Sequence, residues 1–383
     1  MNRTEISSIL RMYNIDSFET YHEIDTSNGN DFRLNITIDK KYVLRINNPV
    51  MDEARLQSIS RLCDRYRKSG ILSPALYQNK NGRYLTPYQG HICYLSDYLD
   101  FETADTLSSE ADQLVVLDEV LKSIGKFASA YSDYDLSPIR SMWSLFDLAP
   151  LDNDVDEKQE NLDMLVEHLT AIKEDSLAEK LIAFNERIRN RIKAIHSQLP
   201  QCVIQGDLNF SNLLVADGHF KGLIDFNMAG TEVNVNHFCC ETNSCINEDD
   251  FSSKDALEIY NNWIQEQNRE LQLILSEYSL NESEAAVLED YRSICLISQY
   301  PNVMSYLDLL NTHREKVLQF LRLILQRYFL TSLLQTQPSR ICRLFRHNCR
   351  ITPDNLRMKV QTVPPFPQSF EQRHSGTLRS LWW

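Results

Sequence analysis

The polar groups best suited to chemistry lie close together in one stretch, Val203-Ile204-Gln205-Gly206-Asp207-Leu208-Asn209-Phe210-Ser211-Asn212-Leu213-Leu214. The chain then turns at Asp217-Gly218 and returns through Gly222-Leu223-Ile224-Asp225-Phe226. Asp207 and Asn212 stand five residues apart on one loop, and Asp225 follows an apolar hairpin. A carboxylate at 207 can take or orient the proton of a hydroxyl. Oxygen ligands at 212 and 225 suit a hard divalent cation such as Mg²⁺. Together these are the groups that moving a phosphoryl group from a magnesium nucleotide to an alcohol requires. Asp and Asn are also common turn residues. The weight therefore rests on three polar positions at matching spacing, held between apolar runs at Cys202–Ile204, Leu213–Val215 and Leu223–Ile224 that read as short buried strands.

Other elements must position this loop. A short helix over 4–13 precedes three apolar or alternating runs, Thr20–Ile24, Phe32–Ile38 and Lys41–Ile46, which read as an antiparallel start. A helix over about Met51–Lys68 and strands near Ala75–Gln78 and His91–Leu95 complete a small α+β unit. After Leu99 the periodicity becomes helical. Ser109 with Asp112 resembles a capping box, and Leu114, Leu117, Leu121, Ile124 and Phe127 recur at three- and four-residue spacing. Leu177 to Leu199 and residues 253–335 read the same way, while the acidic stretch Asp152–Glu160 reads as an exposed connection or helix start. The expected organisation is an N-terminal β-rich nucleotide-binding unit over 1–98 and a mainly helical catalytic and substrate unit over 99–335. A basic, proline-interrupted tail expected to be partly disordered covers 336–383.

The Asp207 to Asp225 segment resembles the aminoglycoside phosphotransferase family, which includes choline, homoserine and methylthioribose kinases and macrolide phosphotransferases. Its signature is His-Gly-Asp-Leu-x-x-x-Asn, then a hairpin and Ile-Asp-Phe or Ile-Asp-Trp. The resemblance implies an α+β, bilobal protein-kinase-like fold. Its small antiparallel-sheet N-lobe carries one helix, and its larger C-lobe is mainly helical. It implies ATP and Mg²⁺ as cofactors, Asp207 as catalytic base or hydroxyl-orienting group, and Asn212 and Asp225 as metal ligands. In Tyr42-Val43-Leu44-Arg45-Ile46, Arg45 takes the place of a phosphate-pairing lysine. A structural arginine fits there as well. Glu53 is either its ionic partner or an ordinary first-turn glutamate. Gly29, in the hairpin Asp25–Asp31, either covers phosphates or serves a plain turn. The segment Tyr94–Leu99, with Tyr94 and Asp97, is the expected adenine-binding hinge by its place in the order. Gln205 departs from the signature histidine, and Asn236 stands where an acid is expected. These departures keep open a second reading, a catalytically weak or inactive module that binds nucleotide or a protein. A protein kinase fits less well, because Asp225-Phe226-Asn227 replaces Asp-Phe-Gly and no Ala-Pro-Glu segment follows.

Composition bounds the partners. The net charge of −14 argues against a nucleic-acid binder. It is uneven: residues 336–383 carry +6, leaving −20 on the rest. That acidic body could steer a cationic acceptor or simply keep the surface solvated. Glu241, Glu248, Asp249 and Asp250 are candidates to line an amine-binding pocket. The expected partner is therefore a small, hydroxyl-bearing molecule, with a cationic one among the options (aminoglycoside, macrolide, choline-like or amino alcohol). No apolar run approaches the roughly 20 residues of a membrane span, and the N-terminus has no signal-peptide pattern. Nine cysteines without disulfide spacing read as reduced thiols. The groups His237, Cys239, Cys240, Cys245 and Cys342, His347, Cys349 lack paired CxxC spacing. A cytoplasmic location is the expectation.

Overall fold

The computed structural model describes residues 1–27, 32–49, 51–146, 156–243 and 248–336, with side chains to 326. Gly29, Cys245, the second cysteine group and the tail past Thr336 lie outside the described residues.

The chain opens with α1 (Arg3–Met12), capped by Asn2 through the Thr4 and Glu5 amides. Three antiparallel strands follow, β1 (Tyr21–Asp25), β2 (Arg33–Ile38) and β3 (Tyr42–Asn47), then α2 (Glu53–Lys68). Strands β4 (Leu76–Tyr77), β5 (Thr86–Tyr88) and β6 (His91–Asp97) complete a sheet of order β1-β2-β3-β6-β4, with β5 also on β6. β6 is buried on both faces because alternate side chains serve two cores. Cys93 and Leu95 pack with Ile36, Ile38 and Leu44 against Ile6, Ile9 and Leu10 of α1. Ile92 and Tyr94 point the other way, onto Leu56, Ile59 and Cys63 of α2. The sheet is thus a layer between two helices, and its inner face continues into the core beneath the polar loop.

Beyond β7 (Glu102–Thr103) the chain is mainly helical. Helices α3 (Glu110–Tyr131), α4 (Glu157–Ala171) and α5 (Asp175–Ile195) precede β8 (Gln201–Ile204), β9 (Leu213–Ala216), β10 (His219–Leu223) and β11 (Gly230–Val233). Then come α6 (Asn234–Glu241), α7 (Glu248–Ser253), α8 (Ala256–Leu275), α9 (Glu282–Ser298), α10 (Tyr300–Thr312) and α11 (Arg314–Thr336). The strands around the polar loop form two small sheets, β10-β9-β7, and β11 paired with β8. The polar loop therefore spans from one sheet to the other. Strands β5, β7 and β11 are not among those expected from the sequence. The expected α+β class, with an N-terminal antiparallel sheet and a mainly helical remainder, is the one observed. Among the described residues no helix is long and apolar enough to cross a membrane.

Of the acidic stretch Asp152–Glu160, residues 156–160 are described, and they are the start of a helix, one of the two expected readings. Asp156 caps α4 through the Gln159 amide and pairs with Arg189. Lys158 is fully buried.

One backbone seam fixes β10 against the end of α2. Leu72 donates its amide to the Lys221 carbonyl at 2.9 Å, and Leu223 returns an amide to the Leu72 carbonyl at 2.8 Å. Gly222 permits the approach, since a Cβ there would sit 2.3 Å from the Leu72 carbonyl oxygen. Gly222→Ala is expected to cost about 1–3 kcal/mol through forced displacement of this seam. A urea melt reads the loss, and an unchanged midpoint would mean that the seam is compliant.

Candidate active site

Gly206 enables the loop's sharp entry. Its φ of +85° lies in the left-handed region, and a Cβ would meet the Met228 carbonyl oxygen at 2.4 Å. Asp207 follows, half-buried. Its Oδ1 accepts from Asn209 Nδ2 and its Oδ2 from Asn212 Nδ2, both at 2.8 Å. Asn212 Nδ2 also reaches the Asp207 carbonyl at 3.0 Å. Both amide hydrogens of Asn212 are thus turned toward Asp207, leaving its carbonyl oxygen for another partner. The Ile224 amide donates to the Asn212 carbonyl at 3.0 Å, tying the loop to the segment that carries Asp225.

Gln205 is the second tie. Its Oε1 accepts the Asp207 amide at 2.6 Å, and its Nε2 donates to the carbonyls of Ile224 (2.9 Å) and Asp225. It is only 1% exposed. Asp225 adopts a left-handed φ of +51°. Its Oδ1 accepts the Asn227 amide at 3.3 Å, and its Oδ2 lies 3.6 Å from Arg45 Nη1. Phe226 is buried beside Tyr66 of α2, whose ring stacks on Phe127 of α3 at 4.1 Å. The Asp225 segment is thereby anchored to both helices.

Burial pushes the Asp207 carboxyl above the ordinary aspartate range. The negative fields of Asp225 and Glu241 push the same way, and the bonds from Asn209 and Asn212 recover only part. Burial would lower Arg45, but Tyr94 and Asp225 outweigh it and leave the guanidinium above its ordinary value.

The sequence-derived candidates divide into three groups. Asp207, Asn212, Asp225 and Arg45 converge. Tyr94 joins them through its hydroxyl, which donates to Asn227 Oδ1 at 3.1 Å. Glu53 does not pair with Arg45. Its carboxylate accepts the amides of Tyr84 (2.9 Å) and Leu85 (3.0 Å) and lies 3.7 Å from Arg83. Asp97 is engaged locally: it accepts from the Ala75 amide and the Tyr77 hydroxyl. In the hinge segment, the Asp97 and Tyr98 amides bond to the carbonyls of Ala75 and Lys41.

Beside Asp207 lies an open cleft. Trp143, Asn209, Phe210, Glu241, Asn243 and Gln299 are among its walls. Of the four acids singled out from the sequence, Glu241 lines it. Glu248, Asp249 and Asp250 sit on α7 and do not.

Trp143, which the sequence does not single out, also reaches the loop. Its Nε1 donates to the Gly206 carbonyl at 3.0 Å, next to Asp207. Its own carbonyl accepts from Lys158 Nζ and from Asn236 Nδ2 (2.8 Å). Asn236 Nδ2 also donates to Glu232 Oε1 at 2.9 Å. Burial raises Glu232, with Lys158 opposing. Burial would lower Lys158, but nearby thiols and Glu232 leave it raised. Glu232 and Lys158 thus meet Asn236 behind the loop, and Trp143 links this polar group to it.

The donor set can be tested against a magnesium ion. Among the described residues no three His, Cys, Asp or Glu side chains cluster closely enough to hold a metal by themselves. Asp225 and the free amide oxygen of Asn212 are hard oxygen donors, too few for an all-protein cage. That fits a cation completed by phosphate oxygens and water, as Mg²⁺ usually is.

A model of the phosphotransferase enzyme family matches residues 22–232. The chain resembles a solved spectinomycin phosphotransferase in complex with ADP and spectinomycin at 13% identity, over 85% of this chain and 98% of that one (TM-score 0.43). An amicoumacin kinase in complex with AMP-PNP and Ca²⁺ is 12% identical over 85% and 94% (TM-score 0.48). An aminoglycoside phosphotransferase from Alicyclobacillus acidocaldarius is 12% identical over 85% and 96% (TM-score 0.47). No curated protein matches. The family match alone spans more than half of the chain and includes Arg45, Trp143, Asp207, Asn212 and Asp225: the chain belongs to the phosphotransferase enzyme family.

Proposed function

We propose that this protein transfers the γ-phosphate of ATP to a hydroxyl of a small molecule held in the cleft beside Asp207. One observation carries the reading. Two carboxylates and an amide oxygen sit on segments tied together by Gln205, and one of them, Asp207, lines an open cleft.

The acceptor hydroxyl would donate to Asp207 as its oxygen bonds to the γ-phosphorus. The bond to the β–γ bridging oxygen breaks, ADP leaves, and the proton passes to Asp207. A bound magnesium ion supplies neutralisation of the β- and γ-phosphate charge. Asn212 and Asp225 would hold it. Arg45, now against Asp225, is placed to exchange that partner for phosphate oxygens. The N-terminal sheet would bind the nucleotide, with the base against Tyr94–Leu99, and the helical region would bind the acceptor. Trp143 acts as a positioning residue through the Gly206 carbonyl. Glu241 and Asp207 give the cleft a negative wall that favours an amine-bearing acceptor.

Three outcomes test this. Asp207→Asn should lower phosphate transfer about 10²–10⁴-fold. It should also melt at or above the parent temperature. A carboxyl held above its ordinary value adds stability only at low pH and loses it as pH rises through that raised value. Full activity in Asp207→Asn would remove Asp207 from the reaction, and absence of transfer by the unaltered protein to any acceptor would leave only the nucleotide- or protein-binding module. Secondly, the acid limb of kcat/KM should lie above the ordinary aspartate range, and Glu241→Gln should move it down by removing a negative neighbour. A limb indifferent to Glu241→Gln would uncouple the two groups. Thirdly, Trp143→Phe keeps the ring and deletes one hydrogen bond, worth about 0.5–1.5 kcal/mol. A fall in kcat of roughly 2- to 12-fold with little change in nucleotide KM is expected, and a pure KM effect would argue against positioning.

A further inference from the structure

The turn that carries Asp225 is held from three elements of the N-terminal unit. Arg45 of β3 lies 3.6 Å from Asp225 Oδ2. Tyr94 of β6 donates its hydroxyl to Asn227 Oδ1 at 3.1 Å. The third hold comes from Arg55 in the first turn of α2, whose Nη2 donates to the Asn227 carbonyl. Asn227 in turn gives its amide to Asp225 Oδ1 at 3.3 Å. The Ala229 amide closes on the Phe226 carbonyl at 3.1 Å, so Asn227 stands inside a tight turn that does not itself use the Asn227 carbonyl.

Arg55 is partly buried, and among the described residues the Asn227 carbonyl is the one group that its side chain bonds. Burial lowers its guanidinium from the ordinary arginine value, with Asp52 and Tyr94 opposing. Keeping a cation there without a paired carboxylate is costly, whereas a bond from a charged donor is among the stronger hydrogen bonds. The turn has a use for such a bond. Asp225 keeps a left-handed φ of +51°, which a residue other than glycine holds only where its surroundings fix it. Glu53, two residues before Arg55, is engaged elsewhere, by the amides of Tyr84 and Leu85.

We infer that Arg55 is a positioning residue: by holding the Asn227 carbonyl it fixes the turn on which Asp225 takes a divalent ion. The inference rests on the reading of Asp225 as a ligand of a magnesium–nucleotide complex. Helix α2 then reaches the site through a cation on a backbone oxygen and not through a pair between Glu53 and Arg45. Two other roles predict different behaviour. An arginine that contacts phosphate affects nucleotide binding with or without the metal. An arginine that acts only by its charge repels Mg²⁺, so its removal tightens the metal. A positioning arginine does neither: its loss weakens the metal and leaves metal-free nucleotide binding alone.

The test uses the full-length chain and N-methylanthraniloyl-ADP as a fluorescent probe, titrated first in EDTA and then with Mg²⁺. In Arg55→Met the Mg²⁺ concentration for half-saturation should rise roughly 5- to 50-fold, most of what one hydrogen bond from a charged donor contributes. Affinity for the probe in EDTA should stay as it was. Arg55→Lys keeps a cationic donor and should recover part of the loss. Arg55→Gln, neutral and shorter, carries the same reading should Arg55→Met not fold. Combined with Tyr94→Phe, the effect should fall short of the sum, because both holds act on Asn227. A half-saturation that stays put or falls in the neutral variants overturns the inference. So does weaker binding in EDTA to the same degree, which would put Arg55 on the phosphates, and so does probe binding that Mg²⁺ does not alter in the unaltered protein. With any of these, ATP turnover by the unaltered protein would leave the phosphotransferase reading standing. A protein that neither binds the probe nor turns over ATP brings down both.

Discussion

The site depends on one side chain that touches neither of its carboxylates. Gln205 accepts the Asp207 amide and donates to the carbonyls of Ile224 and Asp225, so a single amide spans the loop and the segment after the hairpin. The two sheets that carry them are separate: β8 leads into the loop, while β9 and β10 lead away toward Asp225. No ladder of backbone bonds sets the spacing between them. A planar group with an acceptor on one side and two donors on the other does so, together with the backbone bond from the Ile224 amide to the Asn212 carbonyl, in a setting too buried for water to compete. An imidazole can make the same kinds of bond, but it titrates near neutral pH. An amide holds the spacing without that dependence.

Around this bridge the support runs in two directions. Phe226, Tyr66 and Phe127 carry it into the apolar core shared by the sheet and α3. Trp143 carries it into a polar core: Lys158, Asn236 and Glu232 meet behind the loop. A buried charge network of this sort stabilises little against an apolar replacement, yet it is costly to break in half. Its contribution is to fix where the Trp143 carbonyl lies, and so where the indole reaches the Gly206 carbonyl.

What the sequence disclosed follows from distance along the chain. Asp207, Asn212 and Asp225 sit within one loop and hairpin, where spacing alone constrains geometry, and the structure brings them together. Strand alternation and helical periodicity foretold the sheet and the long helices for the same local reason. Trp143 and Lys158 gave no signal, because Gly206 and Asn236, which they meet, lie more than 50 residues further along the chain. Lys158 was hidden further by its acidic surroundings. A run of charges reads as solvated unless the groups that neutralise it are known, and here they are Arg189 for Asp156 and Glu232 near Lys158. Glu53 misled for the opposite reason. Its helix-start position and charge suit an arginine partner, but its carboxylate takes the amides of Tyr84 and Leu85 instead.

The charges explain why a folded chain keeps such a site. Burial and the neighbouring acids Asp225 and Glu241 raise Asp207, so its ionised form opposes folding at neutral pH. Arg45 answers only Asp225, from 3.6 Å. The excess is therefore concentrated at Asp207, between the position that a metal–nucleotide complex would take and the cleft that would take the acceptor. Positive charge arriving from either side relieves it, a divalent ion at Asp225 and Asn212 or an ammonium near Glu241. Each arrival lowers the cost of the Asp207 charge. On the proposed reading, binding from one side thus makes Asp207 a weaker base for the proton that it must take. The loop's geometry, held by Gln205 and Trp143 rather than by charge, has to stay fixed while those charges change.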